Sequence, residues 1–140
     1  MVLFRAQIQV NEHVTKKNQH QALVNRKTGA AYVYLAAKAV KAQTHLTQML
    51  QLQKNRQIQD AIIECDITCT LLFYFDDFYT KKGTRNARLP DLDNLLSLPC
   101  DALTKSSVIS DDKIICSFDG SRRLPGKTNM IEIIISDFVK

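Results

Sequence analysis

Five of the chain's 14 acidic residues, Asp91, Asp93, Asp101, Asp111 and Asp112, fall within residues 88–112, RLPDLDNLLSLPCDALTKSSVISDD. Their setting is otherwise basic: Lys81, Lys82, Arg85 and Arg88 lead into the stretch, and the whole chain carries a formal net charge of +5. Carboxylates crowded in this way repel one another unless a cation neutralises them, and hard oxygen donors suit Mg²⁺ or Mn²⁺ better than zinc. A metal site is one reading. The other is an Asp helix cap followed by turn aspartates that satisfy backbone donors, and spacing alone leaves both open.

The elements that must position these carboxylates can be read around them. Pro90 fixes its own φ and pushes Leu89 towards an extended conformation, so Asp91 and Asp93, two apart, project to one side. Asp93 is a good N-cap, and Leu95, Leu96, Leu98, Ala102 and Leu103 mark a short helix packed on a core. Along that helix Asp93, Ser97 and Asp101 stack on one face at spacings of four. Pro99 falls inside it, removes a backbone donor and is expected to kink or delay it. Ser106-Ser107 and Ser110-Asp111-Asp112 then mark a turn before a strand over 113–118.

PDLDNLL, then DAL, then DD before an apolar strand, resembles the RusA family of Holliday junction resolvases, small metal-dependent endonucleases that cut four-way DNA junctions. The resemblance covers 88–136 and is fainter in the first half, where Lys17-Asn18 sits roughly where the family has an Asn. It implies that Asp91, Asp93 and Asp112 form the catalytic site and bind Mg²⁺ or Mn²⁺, which would lower the pKa of a water for attack on phosphorus. Asp101 and Asp111 would be supporting partners. It also implies a homodimer, since a junction with two-fold symmetry is nicked on two strands. One departure bears on activity. The family usually carries a lysine four residues after the second Asp of the DLD element, where this chain has Ser97. A basic residue usual on the following strand is matched by Arg122 or Arg123, and either could compensate. Two other readings stand beside an active resolvase: a junction-DNA-binding homologue impaired in catalysis by Ser97 and Pro99, and a noncatalytic cation-binding domain with no DNA partner.

The remainder of the chain supplies the frame. With 45% hydrophobic and 24% charged residues, 140 residues suit one domain spanning 1–140. No apolar run approaches the roughly 20 residues needed to span a bilayer, and Arg5 and Gln7 interrupt any leader-like segment, so a cytoplasmic protein without membrane contact is expected. Cys65, Cys69, Cys100 and Cys116 lack a CxxC pairing and are expected as buried thiols. Residues 2–10 alternate as a half-buried strand. The polar stretch after it, including Lys16 and Lys17, reads as an exposed basic loop for DNA phosphates. Residues 30–56 lack Gly and Pro and carry a stripe of Leu35, Ala39, Ala42, Leu46 and Met49, predicting the longest helix, with His45 beside the stripe as a surface or boundary residue. Residues 61–75 alternate strictly and predict the central strand, with Cys65 and Cys69 on its apolar face. Asp76-Asp77 ends it as a second acidic pair. His13 and His20 lie in polar sequence and attract no metal assignment. Residues 78–89 form a basic connection whose Lys81, Lys82, Arg85 and Arg88 would orient a phosphate backbone. After the acidic stretch, strands over 113–118 and 130–138 are joined by a loop or hairpin holding Arg122 and Arg123; Ile134, opposite Ile133 and Ile135, implies cover on both faces. The expected fold is α+β: a mixed sheet of about four or five strands, one long helix, and one short helix carrying the acidic site at its amino end. Recognition is expected to be of branched backbone shape, since no helix reads as a major-groove reader.

Overall fold

Strict alternation of apolar and polar residues builds the sheet. The computed structural model describes residues 1–16 and 29–139, with 29–36 described as backbone alone. Strand β1 (Val2–Gln9) buries Phe4, Ala6 and Ile8, β2 (Ile67–Phe75) buries every second residue from Ile67 to Phe75, and β5 (Met130–Asp137) buries Ile131, Ile133 and Ile135. A period of two puts each of these sets on one face. Helix α1 (Gly29–Gln57) and helix α2 (Leu92–Lys105) supply the partners, and Ala39, Leu46 and Leu50 are buried along α1. Ala42 and Met49 pack more loosely on the same core, whereas the Leu35 side chain lies outside the described part.

The sheet is mixed and five-stranded, with order β1-β5-β2-β3, in which β1–β5 and β5–β2 are antiparallel. The far edge of β2 is shared. Strand β3 (Ile115–Ser117) pairs in parallel with its first residues, and β4 (Arg122–Pro125) pairs in parallel with Leu72 to Phe75. Between them, Thr70 Oγ1 donates to the Asp119 carbonyl at 2.8 Å and Leu71 N donates to Ser121 Oγ at 3.0 Å, which holds the turn at Gly120 (φ 83°) against β2. The α+β expectation therefore holds, with the central position of β2 as read.

Several expectations are corrected. The central strand begins at Ile67, not at residue 61. Ile63 makes a separate bridge with Ile109, its N–H donating to Val108 O at 2.9 Å and its carbonyl accepting from Ser110 N at 3.0 Å. The chain bends after it, so Cys65 is exposed and does not share the apolar face of Cys69. Cys116 is exposed as well, leaving Cys69 and Cys100 as the buried thiols. The expected strand over 113–118 is a 3₁₀ turn, Asp112–Ile114, followed by the short β3. The expected loop or hairpin before β5 contains β4, whose residues pair with a strand some fifty positions earlier in the chain. Ile134 is half-buried within the chain.

Helix α2 starts two residues earlier than an N-cap at Asp93 would allow. Its N-cap position is Asp91, extended at φ −65° and ψ 147°, and its carboxylate makes no capping bond. Pro99 neither delays nor interrupts the helix, which runs on to Lys105; the proline is buried in the core-facing side with Leu98 and Cys100. The helix then closes in a Schellman arrangement without glycine. Ser107 takes the left-handed conformation (φ 61°), its N–H donates to Thr104 O at 3.1 Å, and Val108 N donates to Leu103 O at 3.2 Å. Val108 and Ile109 bury completely just beyond, which turns the chain back towards Asp111 and Asp112.

Candidate active site

Asp91 and Asp93 owe their position to an anchored lead-in and an anchored helix. Leu89 is buried before them, Leu95 and Leu98 after them, and the two carboxylates stand exposed between these anchors. Arg123 of β4 fixes the approach, with Nη1 donating to the Pro90 carbonyl at 3.2 Å. The β4 register places Arg123 opposite Phe73, on the core side of the sheet, and Arg122 opposite Leu72, on the other face. Burial, with Glu132 second, raises the pKa of the Tyr74 phenol on that face, and the nearby Arg122 charge works the other way. Only Arg123 of this pair thus joins the acidic site.

Among the described residues the carboxylates of Asp91 and Asp93 accept no hydrogen bond and form no ion pair. Negative charge there is favoured by the helix amino end, which carries about half a positive elementary charge. The other acids of the cluster are engaged. Asp101, one turn beyond Ser97, pairs with Lys16 Nζ from the segment after β1. Asp111 accepts from the N–H of Lys113 at 2.9 Å, which holds its carboxyl below the usual range, helped by a hydrogen bond with the Asp112 side chain.

Lys16, Asp101 and Asp112 line one cleft of about 470 Å³ between α1 and α2. Cys100 lies under it. Burial, with the Asp112 charge second, pushes its thiol up to about 11, and the Lys16 charge works the other way. Asp112 is therefore brought to the Lys16–Asp101 pair, while Asp91 and Asp93 stand at the start of α2. Among the described residues, no three or more His, Cys, Asp or Glu side chains are gathered closely enough to hold a metal ion. The donor set of exposed carboxylates fits a hard divalent cation in chemistry, with Asp91 and Asp93 unpaired among the described residues and Asp112 hydrogen-bonded to Asp111, and ligation by Asp91, Asp93 and Asp112 together would require their side chains to rearrange.

The remaining basic residues fall into separate places. Lys81, Lys82 and Arg85 are exposed on a short hairpin over 78–86, bridged at Tyr79 and Arg85 and turned by Gly83 (φ 82°), with Thr80 N donating to Thr84 O at 2.7 Å. Arg88 is exposed just after it, its N–H donating to Asn86 Oδ1 at 3.0 Å. Lys17, together with the Lys17-Asn18 pair and His20, lies outside the described residues. Ser97 is exposed on α2 between Asp93 and Asp101.

His13 departs from its reading as a histidine in polar surroundings. Its ring lies 4.2 Å from that of Phe75 and 5.8 Å from that of Phe73, and its Nε2 is 2.7 Å from the Tyr74 carbonyl. Burial lowers its pKa, opposed by that hydrogen bond and by the charges of Asp77 and Asp76. Its sequence neighbours Asn11 and Glu12 gave no sign of this; the alternation of β2 located Phe73 and Phe75 but not what would cover them. His45 is exposed, as expected beside the apolar stripe, with Nε2 2.9 Å from Gln9 O.

Residues 9–136 match the family model of the endodeoxyribonuclease RusA. The chain belongs to the RusA endodeoxyribonuclease family. The match takes in nearly the whole chain, including β1's end, both helices and the acidic stretch, and extends well beyond the segment over which the motifs alone are legible. Membership assigns the chain to the endodeoxyribonucleases and supports a role in resolving Holliday junctions. A search of curated proteins finds no match. Among the described residues, no helix is long and apolar enough to cross a membrane.

Proposed function

We propose that this endodeoxyribonuclease nicks four-way DNA junctions with the help of a divalent cation, Mg²⁺ or Mn²⁺, held by Asp91, Asp93 and Asp112. The observation that carries the reading is selective: Asp101 and Asp111 are spent on Lys16 and on a backbone N–H, whereas Asp91 and Asp93 are exposed, without a partner among the described residues, and anchored on both sides. A cation bound there would supply an electrophile for a phosphoryl oxygen. The chain's own residues do the rest. Arg123 holds the Pro90 carbonyl and so sets where Asp91 points. Lys16 brings positive charge to the face that carries Ser97 and Asp101, where it offsets charge accumulating on phosphate. Lys81, Lys82, Arg85 and Arg88 lie on the approach to the site and hold the DNA backbone without reading sequence. A two-fold homodimer would present one site to each strand to be cut.

Ser97 favours a second reading, a junction binder with impaired cleavage, because position 97 is exposed beside the acidic residues and carries no charge. One experiment separates the two. A labelled synthetic four-way junction and a linear duplex are incubated with the protein and Mg²⁺ or Mn²⁺, beside the double variant Asp91→Asn, Asp93→Asn. Paired nicks on the junction alone, lost in the variant, support the resolvase. Tight junction binding without nicks, with cleavage gained in Ser97→Lys, supports the impaired binder. Absence of junction binding would sink both.

A further inference from the structure

The hairpin over 78–86 carries a side chain that the acidic site does not use. Tyr79 is 57% exposed, the most exposed aromatic residue among those described. Its support is firm. Asn86 closes the hairpin twice, its N–H donating to Phe78 O at 2.8 Å and its Nδ2 to Asp77 O at 3.1 Å, and the Thr80 and Thr84 hydroxyls meet across it at 2.9 Å. Phe78 packs on the core, and its ring meets that of Tyr79 edge-on, with centroids 5.0 Å apart and planes at 79°. An edge-on contact covers at most one face of a ring. A flat aromatic face is thus held out in water on a support tied to the core.

The residues around the ring decide what it suits. The hairpin offers no second exposed large apolar side chain beside Tyr79, so it adds no contiguous apolar patch of the kind that marks a protein interface. Lys81, Lys82 and Arg85 are exposed and have no ion-pair partner among the described residues. The acids nearest in sequence, Asp76 and Asp77, stand at the foot of the hairpin, where their charges act on His13. An exposed aromatic face among unpaired cations suits an unpaired nucleotide: the ring stacks on the base and the cations take the flanking phosphates. Inside a linear duplex each base has both faces covered by its neighbours, whereas a branch point opens the stack. Arg85, bridged to Tyr79, is joined to Asp91 by at most about 22 Å of chain, the length of about six nucleotide steps. A base at the ring and a phosphate at Asp91 can therefore belong to one branch. We propose that Tyr79 stacks on a base exposed at the branch point and so distinguishes a junction from linear duplex, while Lys81, Lys82 and Arg85 hold the adjoining phosphates. This rests on the nuclease reading for the DNA partner, and adds to it a specificity-determining residue outside the acidic site.

Binding of the full chain, in chelator, to a synthetic four-way junction, a linear duplex and a single-stranded oligonucleotide is measured for the native protein, Tyr79→Ala and Tyr79→Phe. Tyr79→Ala is expected to lose about tenfold in affinity for the junction and the single strand and to keep its duplex affinity, and Tyr79→Phe to bind as the native chain does. Lys81→Ala with Lys82→Ala is expected instead to weaken all three and to lower the salt slope of duplex binding by about one per lysine. A second measurement needs no variant and decides the matter should Tyr79→Ala not fold. With 5-iodouracil at the branch-point positions, irradiation is expected to cross-link the native chain at Tyr79, located by mass spectrometry. Equal losses on junction and duplex in Tyr79→Ala, an unchanged preference for the junction, or cross-links only at other residues overturn the proposal. Paired nicking of the junction by the native chain in Mg²⁺ is read in parallel. Nicking alongside any of those results removes the stacking contact alone. Single-strand binding that depends on Tyr79, without junction binding, upholds the stacking ring and removes the resolvase reading, and a chain that binds none of the three DNAs overturns both.

Discussion

Binding of a divalent cation at Asp91, Asp93 and Asp112 should be visible as stability before any DNA is added. An ion present at a hundred times its dissociation constant stabilises the folded chain by about 2.7 kcal/mol. Unfolding entropy of about 2.1 cal/mol/K per residue gives roughly 0.3 kcal/mol/K for 140 residues, so Tm should rise by roughly 9 °C. The variant Asp91→Asn, Asp93→Asn has a background effect of its own. Each carboxylate gains about 0.3–1 kcal/mol from the amino end of α2, and losing that is partly offset by relief of the repulsion between them. Without the ion the variant should therefore lie within about 6 °C of the native chain, still below the expected ion effect. Thermal unfolding followed by circular dichroism, in chelator and across a series of Mg²⁺ and Mn²⁺ concentrations, makes the comparison. A native chain whose Tm ignores both ions, or a double variant that shifts as far as the native chain, would refute the assignment of the ion to these residues.

Two further outcomes follow from particular side chains. Ser107 holds a left-handed conformation at the end of α2 that glycine adopts without strain, so Ser107→Gly should stabilise the chain by about 0.5–1 kcal/mol, after allowing for the greater freedom of glycine in the unfolded state. Urea unfolding measures it, and a loss of stability would mean that the Ser107 side chain contributes more than its backbone costs. His13 has a lowered pKa in the folded chain, so above its unfolded value near 6.5 both states are neutral and it contributes no pH dependence. As pH falls through that value the unfolded chain takes up a proton that the folded chain resists. Stability then declines by at most about 1.4 kcal/mol per pH unit until the lowered folded pKa is reached. Urea unfolding at about pH 7.5 and about pH 5.5 should show this decline in the native chain and a smaller one in His13→Gln; equal declines would mean that other groups carry it.

How far the sequence reaches depends on whether a feature is local. Alternation located β1, the body of β2 and β5 because burial on one face leaves a period of two wherever it occurs, and the absence of Gly and Pro marked α1 almost to its ends. The acidic stretch was legible for the same reason: its residues are neighbours in the chain. What escaped depends on partners far away in sequence. RRLP between Gly120 and Gly126 reads as a loop until Leu72 to Phe75 offer it a parallel edge. The alternation that seemed to carry β2 back to residue 61 is broken because Ile63 bonds to 108 and 110 instead. The helix start was misplaced by the choice between two aspartates that both suit an N-cap, and the end of α2 carries a serine in a conformation that sequence reading expects of glycine. His13 looked polar because its aromatic neighbours are about sixty residues away.

The same distinction bears on Ser97. In a linear reading, the lysine expected at that position is missing, and Arg122 or Arg123 on the following strand is the substitute. In space the alternatives are sorted by the sheet: β4 sends Arg122 to the opposite face and leaves Arg123 bonded at Pro90, ahead of Asp91. Cations reach the Ser97 face from elsewhere, and Lys105 of the same helix lines the cleft with Asp101 and Asp112. Lys16, which sequence placed in a loop for DNA phosphates, lies against Asp101, one helical turn from Ser97 and in the same cleft as Asp112. A positive charge needed near developing negative charge acts through distance and dielectric, not through its place in the chain. An ammonium arriving from the segment after β1 can therefore serve where a helix lysine is absent, provided the Lys16–Asp101 pair holds it there. The pair is partly exposed and contributes little to stability by itself, so its worth in this arrangement lies in placing the charge.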